Sequence, residues 1–511
     1  MIKMVKSSPE NPLLQSKVER SQSHTKKTTE GKCGLWKPLV FGISASLLGL
    51  LLTIWTPFHI LMNERLRMRP GLPPYEWWKT PPDKVLLRVY VFNITNSEAF
   101  LNGTDKKLNV EEVGPIIFLE KVTHSDVIVN DNDTMTYSAK RSAIYLPMMN
   151  HIDLNQTLIV PNIAVLGIAS YLWDWNFVTK MGFNYLLRKI ESQPIVKTTI
   201  YNFLWNFTDP VIDLGHSFFP VMVPTTNLGI LTIVYEHFEH TVTSYMGTNN
   251  GHSRYFLIDK FDGSEYLPHH DCKEKLVNST EGVTYHQFLT KNETILYWRK
   301  TQCKVIELDF ERELFTNGFN AYRFTLRNET FHRQDSYSDC FKGNPPLPNG
   351  LIDVSKCYFD LPISISFPHF LNADPIAKTY VNGLKPSNEK HGSFVDIEPV
   401  TGVPLESRAR LQSNLILKDF SGLSETLERF SDITVPLFWL EYNQVGIPTY
   451  MSNLIFFLIK ILPSLQIIVV VVLFCTGLAL AIYAAYKFIT RRKQKNLQHK
   501  IMRLKGHIFC N

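Results

Sequence analysis

What this sequence lacks narrows its function first. It contains no G-x-S-x-G, no H-E-x-x-H, no G-x-x-x-x-G-K-[ST] and no G-x-G-x-x-G. Those patterns build a nucleophile elbow, a zinc-protease site, and the phosphate and dinucleotide cradles. Without them the chain is expected not to be an enzyme and to need no cofactor. Cysteine is scarce, seven in 511 residues, and no two have the close spacing of a structural zinc site, so no metal is expected. Acidic residues are missing from the last 25 positions, which hold eight Lys/Arg. The first 37 positions hold eight Lys/Arg against three acids. The two ends therefore exceed the whole chain's net charge of +6, and the long middle is acidic on balance. No basic stripe for nucleic acid remains.

Charge is also absent from two long runs. Residues 38–62 and 461–486 carry no formal charge over 25 and 26 residues. At ~1.5 Å per residue each spans a ~30 Å hydrocarbon core. Trp36 and Trp55 stand near the ends of the first, and Tyr483 and Tyr486 near the end of the second, as in interfacial aromatic belts. The first run starts too late and is too long for a cleaved signal peptide, so it reads as an uncleaved signal anchor. Lys32 and Lys37 precede it; Arg491, Arg492 and Lys493 follow the second run. The positive-inside rule then puts both ends in the cytosol. The expected layout is a tail 1–37, an anchor 38–62, an ectodomain 63–460, an anchor 461–486 and a basic tail 487–511.

Glycosylation sequons agree. They occur at Asn93, Asn102, Asn132, Asn155, Asn206, Asn278, Asn292 and Asn328, all between the anchors. Four cysteines lie there too: Cys272, Cys303, Cys340 and Cys357. An even number in an oxidising compartment favours disulfides over a metal or redox site, with three pairings open.

Between the anchors, 84–95, 321–328 and 435–442 read as strands, and Gly-, Asn- and Pro-rich turns punctuate the region. Strands are too numerous and helices too few for a regular βαβ design. The exception is 161–194, an apolar and aromatic stretch that predicts a helix pair, with Gly167 and Gly182 allowing close packing or a break. It suits either a core helix or a face for lipid or a partner. His237 and His240 in "EHFEH", and His269 and His270 in "HHDC", read as surface polar residues.

Several blocks carry a resemblance: "VYVFNITN" (89–96), "EEVGPIIF" (111–118), "FLWNFTDP" (203–210), "VSKC" (354–357), "PHFLNADP" (368–375), "DIEPVTGVPLESRARLQSN" (396–414) and "VPLFWLEY" (435–442). In this order between two anchors, they resemble the class B scavenger receptor family. The resemblance implies an α+β ectodomain with an irregular antiparallel β-barrel-like core, a hydrophobic tunnel and a membrane-distal helical bundle formed mainly by 161–191. It implies a receptor for lipids or lipoprotein-like particles. Fatty acids, sterols or carotenoids would pass down the tunnel to the membrane. Lys189 aligns with a lysine the family uses for acidic lipid ligands, and Arg188 and Lys180 would share that positive surface. It also implies pairing of Cys272 with Cys340 and of Cys303 with Cys357. Several vertebrate relatives have two further cysteines in this region; here Phe341 and Lys342 follow Cys340, so a third bridge is missing. The alternative is a receptor for protein or particle ligands (cell debris, pathogens or lysosomal cargo) without lipid transfer. The oligomeric state is left open.

Cys33, just outside the first anchor, is a candidate for S-acylation. "ENPLL" (10–14) resembles an acidic dileucine sorting signal with its glutamate one position too close. The plasma membrane is the expected site, with endosomes or lysosomes the alternative.

Overall fold

The computed structural model describes the chain except residues 1–35, 57–59, 61–63, 65, 66, 83, 222, 237–239, 248–251, 268–273, 334–339 and 509–511. The chain divides into two units: its ends, up to Glu64 and from Leu454, and the segment Arg65–Asn453.

In the first unit, two helices are long and apolar enough to cross a membrane, Trp36–Ile54 and Thr449–Arg503. The second contains a π-helical turn at Phe457–Ile461, followed by Leu462–Ile508. Pro463 explains the turn: its ring displaces the carbonyl four residues back and it offers no N–H. The helix continues through the basic stretch expected as a tail. Gly42 of the first span faces the Gly477 carbonyl, where an added Cβ would sit 2.9 Å away. Gln466 donates to the Leu52 carbonyl at 3.2 Å.

The second unit is dominated by one sheet. Its strands are β1 (Val85–Ile94), β2 (Leu108–Val129), β3 (Thr134–Tyr145), β6 (Thr241–Tyr245), β7 (Ile258–Phe261), β8 (Ile295–Trp298), β9 (Val305–Thr316), β10 (Phe319–Leu326), β14 (Phe394–Ile397), β15 (Pro404–Ile416) and β16 (Thr434–Gln444). β4 (Thr157–Pro161) and β5 (Ile195–Thr199) form a separate ribbon, and β11 (Ile352–Asp353), β12 (Ile363–Ser366) and β13 (Val381–Asn382) are short side strands. The sheet order is β7-β6-β3-β2-β1-β16-β15-β14-β10-β9-β8, antiparallel throughout.

Its two edges are joined. Ser279 accepts from Ile258 of β7, and Asn278 donates to the Ile258 carbonyl. Thr280 bonds Leu296 and Trp298 of β8. The strip 278–280 thus closes the sheet into a barrel, which removes the unpaired edges an open sheet exposes. β1 pairs along its edges with β2 and β16, β4 is laid against it, and buried residues on both sides of the strand account for its apolar run. Its Asn93 side chain accepts from the Ile159 N–H of β4 at 2.8 Å. Tyr90 faces two residues of β2, Gly114 and Pro115, a bulge where proline could not have joined the ladder.

Five helices sit in sequence between β4 and β6: α1 (Ile163–Tyr171), α2 (Phe177–Ile190), α3 (Ile200–Trp205), α4 (Pro210–Phe218) and α5 (Ile230–Glu236). α4 packs on both α1 and α2, and α3 packs on α5. Buried caps tie them together. Asn162 caps α1 through its carbonyl oxygen and donates to Asp209 at 2.8 Å. Asp209 caps α4 and accepts from Ser192 at 2.8 Å. The helix pair predicted for 161–194 is α1 and α2.

Candidate functional site

The two helices of the pair have different fates. α1 is buried almost all round, which is why its sequence is apolar on every face. α2 buries Lys180, Phe183 and Leu187 and turns the opposite face outward. There Val178 is 74% exposed, Met181 55% and Tyr185 71%, at helical spacing, with Phe177 and Trp175 beside them. Arg188 falls seven residues after Met181 and Lys189 four after Tyr185, both exposed. An apolar stripe therefore ends in two cations. Lys180 does not join them. It is 8% exposed and donates to the Ser421 carbonyl at 2.8 Å, so the expected three-residue positive surface is corrected to Arg188 and Lys189.

Inside the barrel lie cavities of about 130, 60 and 40 Å³. They are distinct but share walls. The largest and the second share Pro81, Val283, Pro404 and Gln444. The second is also lined by Trp77, Trp78, Ile447 and Met451, close in sequence to the ends of this unit. The largest and the third share Arg141, Glu281 and Arg299. Ile306, Leu308, Leu326 and Leu411 supply apolar lining.

The charged wall is heavily bonded. Arg299 pairs with Glu120 and lies 3.7 Å above the Tyr442 ring. Tyr235 donates to Glu120 at 3.1 Å, and Tyr137 to Glu281 at 2.6 Å. Burial pushes the Glu281 carboxyl up, but Arg141, His124, the Tyr137 hydroxyl and His240 together outweigh it and hold it below the usual range. His124 stacks on Trp78 at 4.4 Å and bonds its carbonyl at 2.6 Å. Burial pushes it down to about 4. His240, half-buried rather than fully at the surface, lines the third cavity and is pushed down to about 4 by burial; His237, His269 and His270 lie outside the described residues.

Reading the sequence missed one cluster. Glu112, His369 and His391 bring their ligand-type atoms within 4.8 Å of one another. The hydrogen bonds argue against a metal there. His369 Nδ1 accepts from the Lys385 N–H at 3.1 Å, and His391 Nδ1 from the Ser387 N–H at 3.0 Å. Each neutral ring must therefore carry its proton on Nε2, the nitrogen a metal would need. His369 Nε2–H instead donates to Glu112 at 2.6 Å, and Trp439 donates to the same oxygen at 2.7 Å. Burial raises Glu112, but these two donors outweigh it and hold the carboxyl low. Gln412 accepts from the His369 N–H at 2.6 Å. Glu112, His369, Gln412 and Trp439 come from four of the blocks quoted above. Their convergence was the available signal.

The CD36 family profile matches residues 40–488. The chain belongs to the CD36 family. Its curated relatives include scavenger receptor class B member 1 of Rattus norvegicus, 28% identical over 408 residues and 79% of each chain. Lysosome membrane protein 2 of Homo sapiens is 27% identical over 383 residues, 71% of this chain and 76% of the relative.

Other predicted residues of this CD36-family chain are dispersed over the ectodomain unit. Asn102, Asn132, Asn155, Asn206, Asn278, Asn292 and Asn328 are exposed, whereas Asn93 is half-buried and engaged with β4. Cys303 is bonded to Cys357 with their Cα atoms 6.3 Å apart. Cys340 is disulfide-bonded; Cys272, Cys33 and "ENPLL" lie outside the described residues.

Proposed function

We propose that this chain is a membrane receptor that captures lipids or lipoprotein-like particles on α2 and passes small lipids through the barrel cavities toward the membrane. One observation carries the reading: cavities inside the barrel share lining residues, partly apolar, and the smaller of the first two is lined by residues close in sequence to the ends of this unit. The exposed stripe of α2 supplies apolar contact, and Arg188 and Lys189 supply attraction for acidic headgroups. Burial contributes about 0.8 kcal/mol per methylene, ample for a long chain. The plasma membrane is the proposed site, as a scavenger receptor role requires, and the lysosomal relative makes that compartment the alternative.

Leu326→Trp, which fills the largest cavity, is expected to abolish lipid delivery to cells while surface display is kept. Undiminished delivery would discard the conduit. The exposed stripe also favours a second reading, a protein- or particle-binding receptor. In that case Tyr185→Asp removes ligand capture and Leu326→Trp changes nothing.

A further inference from the structure

The wall between the largest and third cavities is made of charge. Arg141, Glu281 and Arg299 line both, and Glu120 of β2 completes the group. Arg299 is paired with Glu120. Arg141 stands 3.8 Å from Glu120 and 3.9 Å from Glu281. Two cations and two anions balance here.

Balance fails once the rest of the largest cavity is included. Arg408 and Arg410 also line it. Arg408 meets Glu406 at 3.3 Å, and Arg410 meets Glu441 at 2.7 Å. Glu441 has a second arginine, Arg88, at 2.6 Å. Of the charged side chains that line this cavity, four are arginines and two are glutamates; Glu406 and Glu441, which answer Arg408 and Arg410, stand outside its lining. Two of these arginines, Arg299 and Arg408, keep a buried Nε–H with no hydrogen-bond partner among the described residues. A buried charged donor without an acceptor is costly, and it marks a place for an anionic oxygen. The apolar lining beside it suits a hydrocarbon chain.

We propose that the Glu120–Arg299 and Arg141–Glu281 pairs form a charge-selective gate between the two cavities, which passes long-chain monoanions and holds back neutral lipids. This rests on the conduit reading. An incoming carboxylate takes over Arg299 as Glu120 lets go, and Glu120 keeps Arg141 at 3.8 Å and the Tyr235 hydroxyl, so neither anion is left bare in the interior. A neutral lipid has nothing to offer the separated pair. One negative head also offsets part of the cationic lining, while the tail lies against Leu308 and Leu326.

The experiment uses the full chain displayed on cells, with uptake of labelled oleate and labelled cholesterol measured side by side. Glu120→Gln/Arg299→Gln removes the pair together and keeps its size. It is expected to lower the oleate-to-cholesterol ratio about tenfold, the worth of one charged hydrogen bond. Glu281→Gln still accepts from Tyr137 and adds one unit of surplus positive charge, so it is expected to raise the ratio several-fold. An unchanged ratio in whichever variant reaches the surface overturns the gate. Leu326→Trp separates the two claims. If it stops both lipids while the ratio ignores the gate variants, only the gate is lost. If it stops neither, the conduit itself is lost.

Discussion

Single residues in this protein do work that their types do not announce. Asn93 lies in a sequon, yet it is half-buried in β1 and its oxygen holds the Ile159 N–H of β4. Glycopeptide mapping is expected to find Asn93 bare and exposed sites such as Asn155 occupied; a glycan at Asn93 would contradict the packing of β4. His124 is a second case. Its folded pKa of about 4 lies well below the ~6.5 of a free histidine. The neutral ring therefore contributes stability above pH 6.5 that is lost as pH falls toward 4, about 2 kcal/mol by pH 5. His240 and His391, also near 4, act in the same sense. Glu274, raised to about 7 mainly by burial, acts oppositely between pH 7 and 4.5. Glu398 and Asp432, raised mainly by burial, act with Glu274, while Glu112 and Glu281, held low, act with the histidines, and the protein is left less stable in acid. Thermal melts of the full chain in detergent should show a lower Tm at pH 5 than at pH 7. His124→Phe should shrink that difference, and an equal difference would remove His124 from the account.

At the scale of elements, capping and burial decide which helix faces outward. α1 could be read from its apolar run, but not that it would be enclosed while α2, from the same run, would be half open. The difference lies in what packs on each. Ser170 of α1 donates to the Ile416 carbonyl of β15 at 3.0 Å, whereas α2 is held along one face by Lys180 on Ser421 and Asn184 on Ser424. The buried Asn162–Asp209–Ser192 network fixes where the helices start. Asn162→Ala removes the cap of α1 and a donor to buried Asp209. It is expected to cost about 2 kcal/mol, measured by urea unfolding. A loss below about 0.5 kcal/mol would mean that water serves these groups equally well.

For the whole molecule, the barrel is closed by a strip of irregular chain, and one disulfide spans its later part. The Cys303–Cys357 bond encloses a separation of 54 residues. A loop of that length limits the unfolded chain by about 4 kcal/mol on the entropic account. Cys303→Ser/Cys357→Ser is expected to lower stability by about that amount and to reduce surface display. Unchanged unfolding in reducing and non-reducing buffer would show that the bond contributes little.

The sequence by itself determined the two membrane-length helices, because their signal is local: unbroken apolar runs of sufficient length. It determined β1, β10 and β16 for the same reason, since alternation and branched side chains act within a few residues. The family blocks were legible too, although nothing in them said why they recur. Only the tertiary structure showed that four of them meet around Glu112 and His369, residues 257 apart in the chain. It alone turned Lys180 inward, half-buried His240 against the third cavity and placed Glu120 against Arg299. Those outcomes depend on which distant surfaces are brought into contact. A charge's partner and a side chain's burial are properties of that contact, and no window of local sequence contains them.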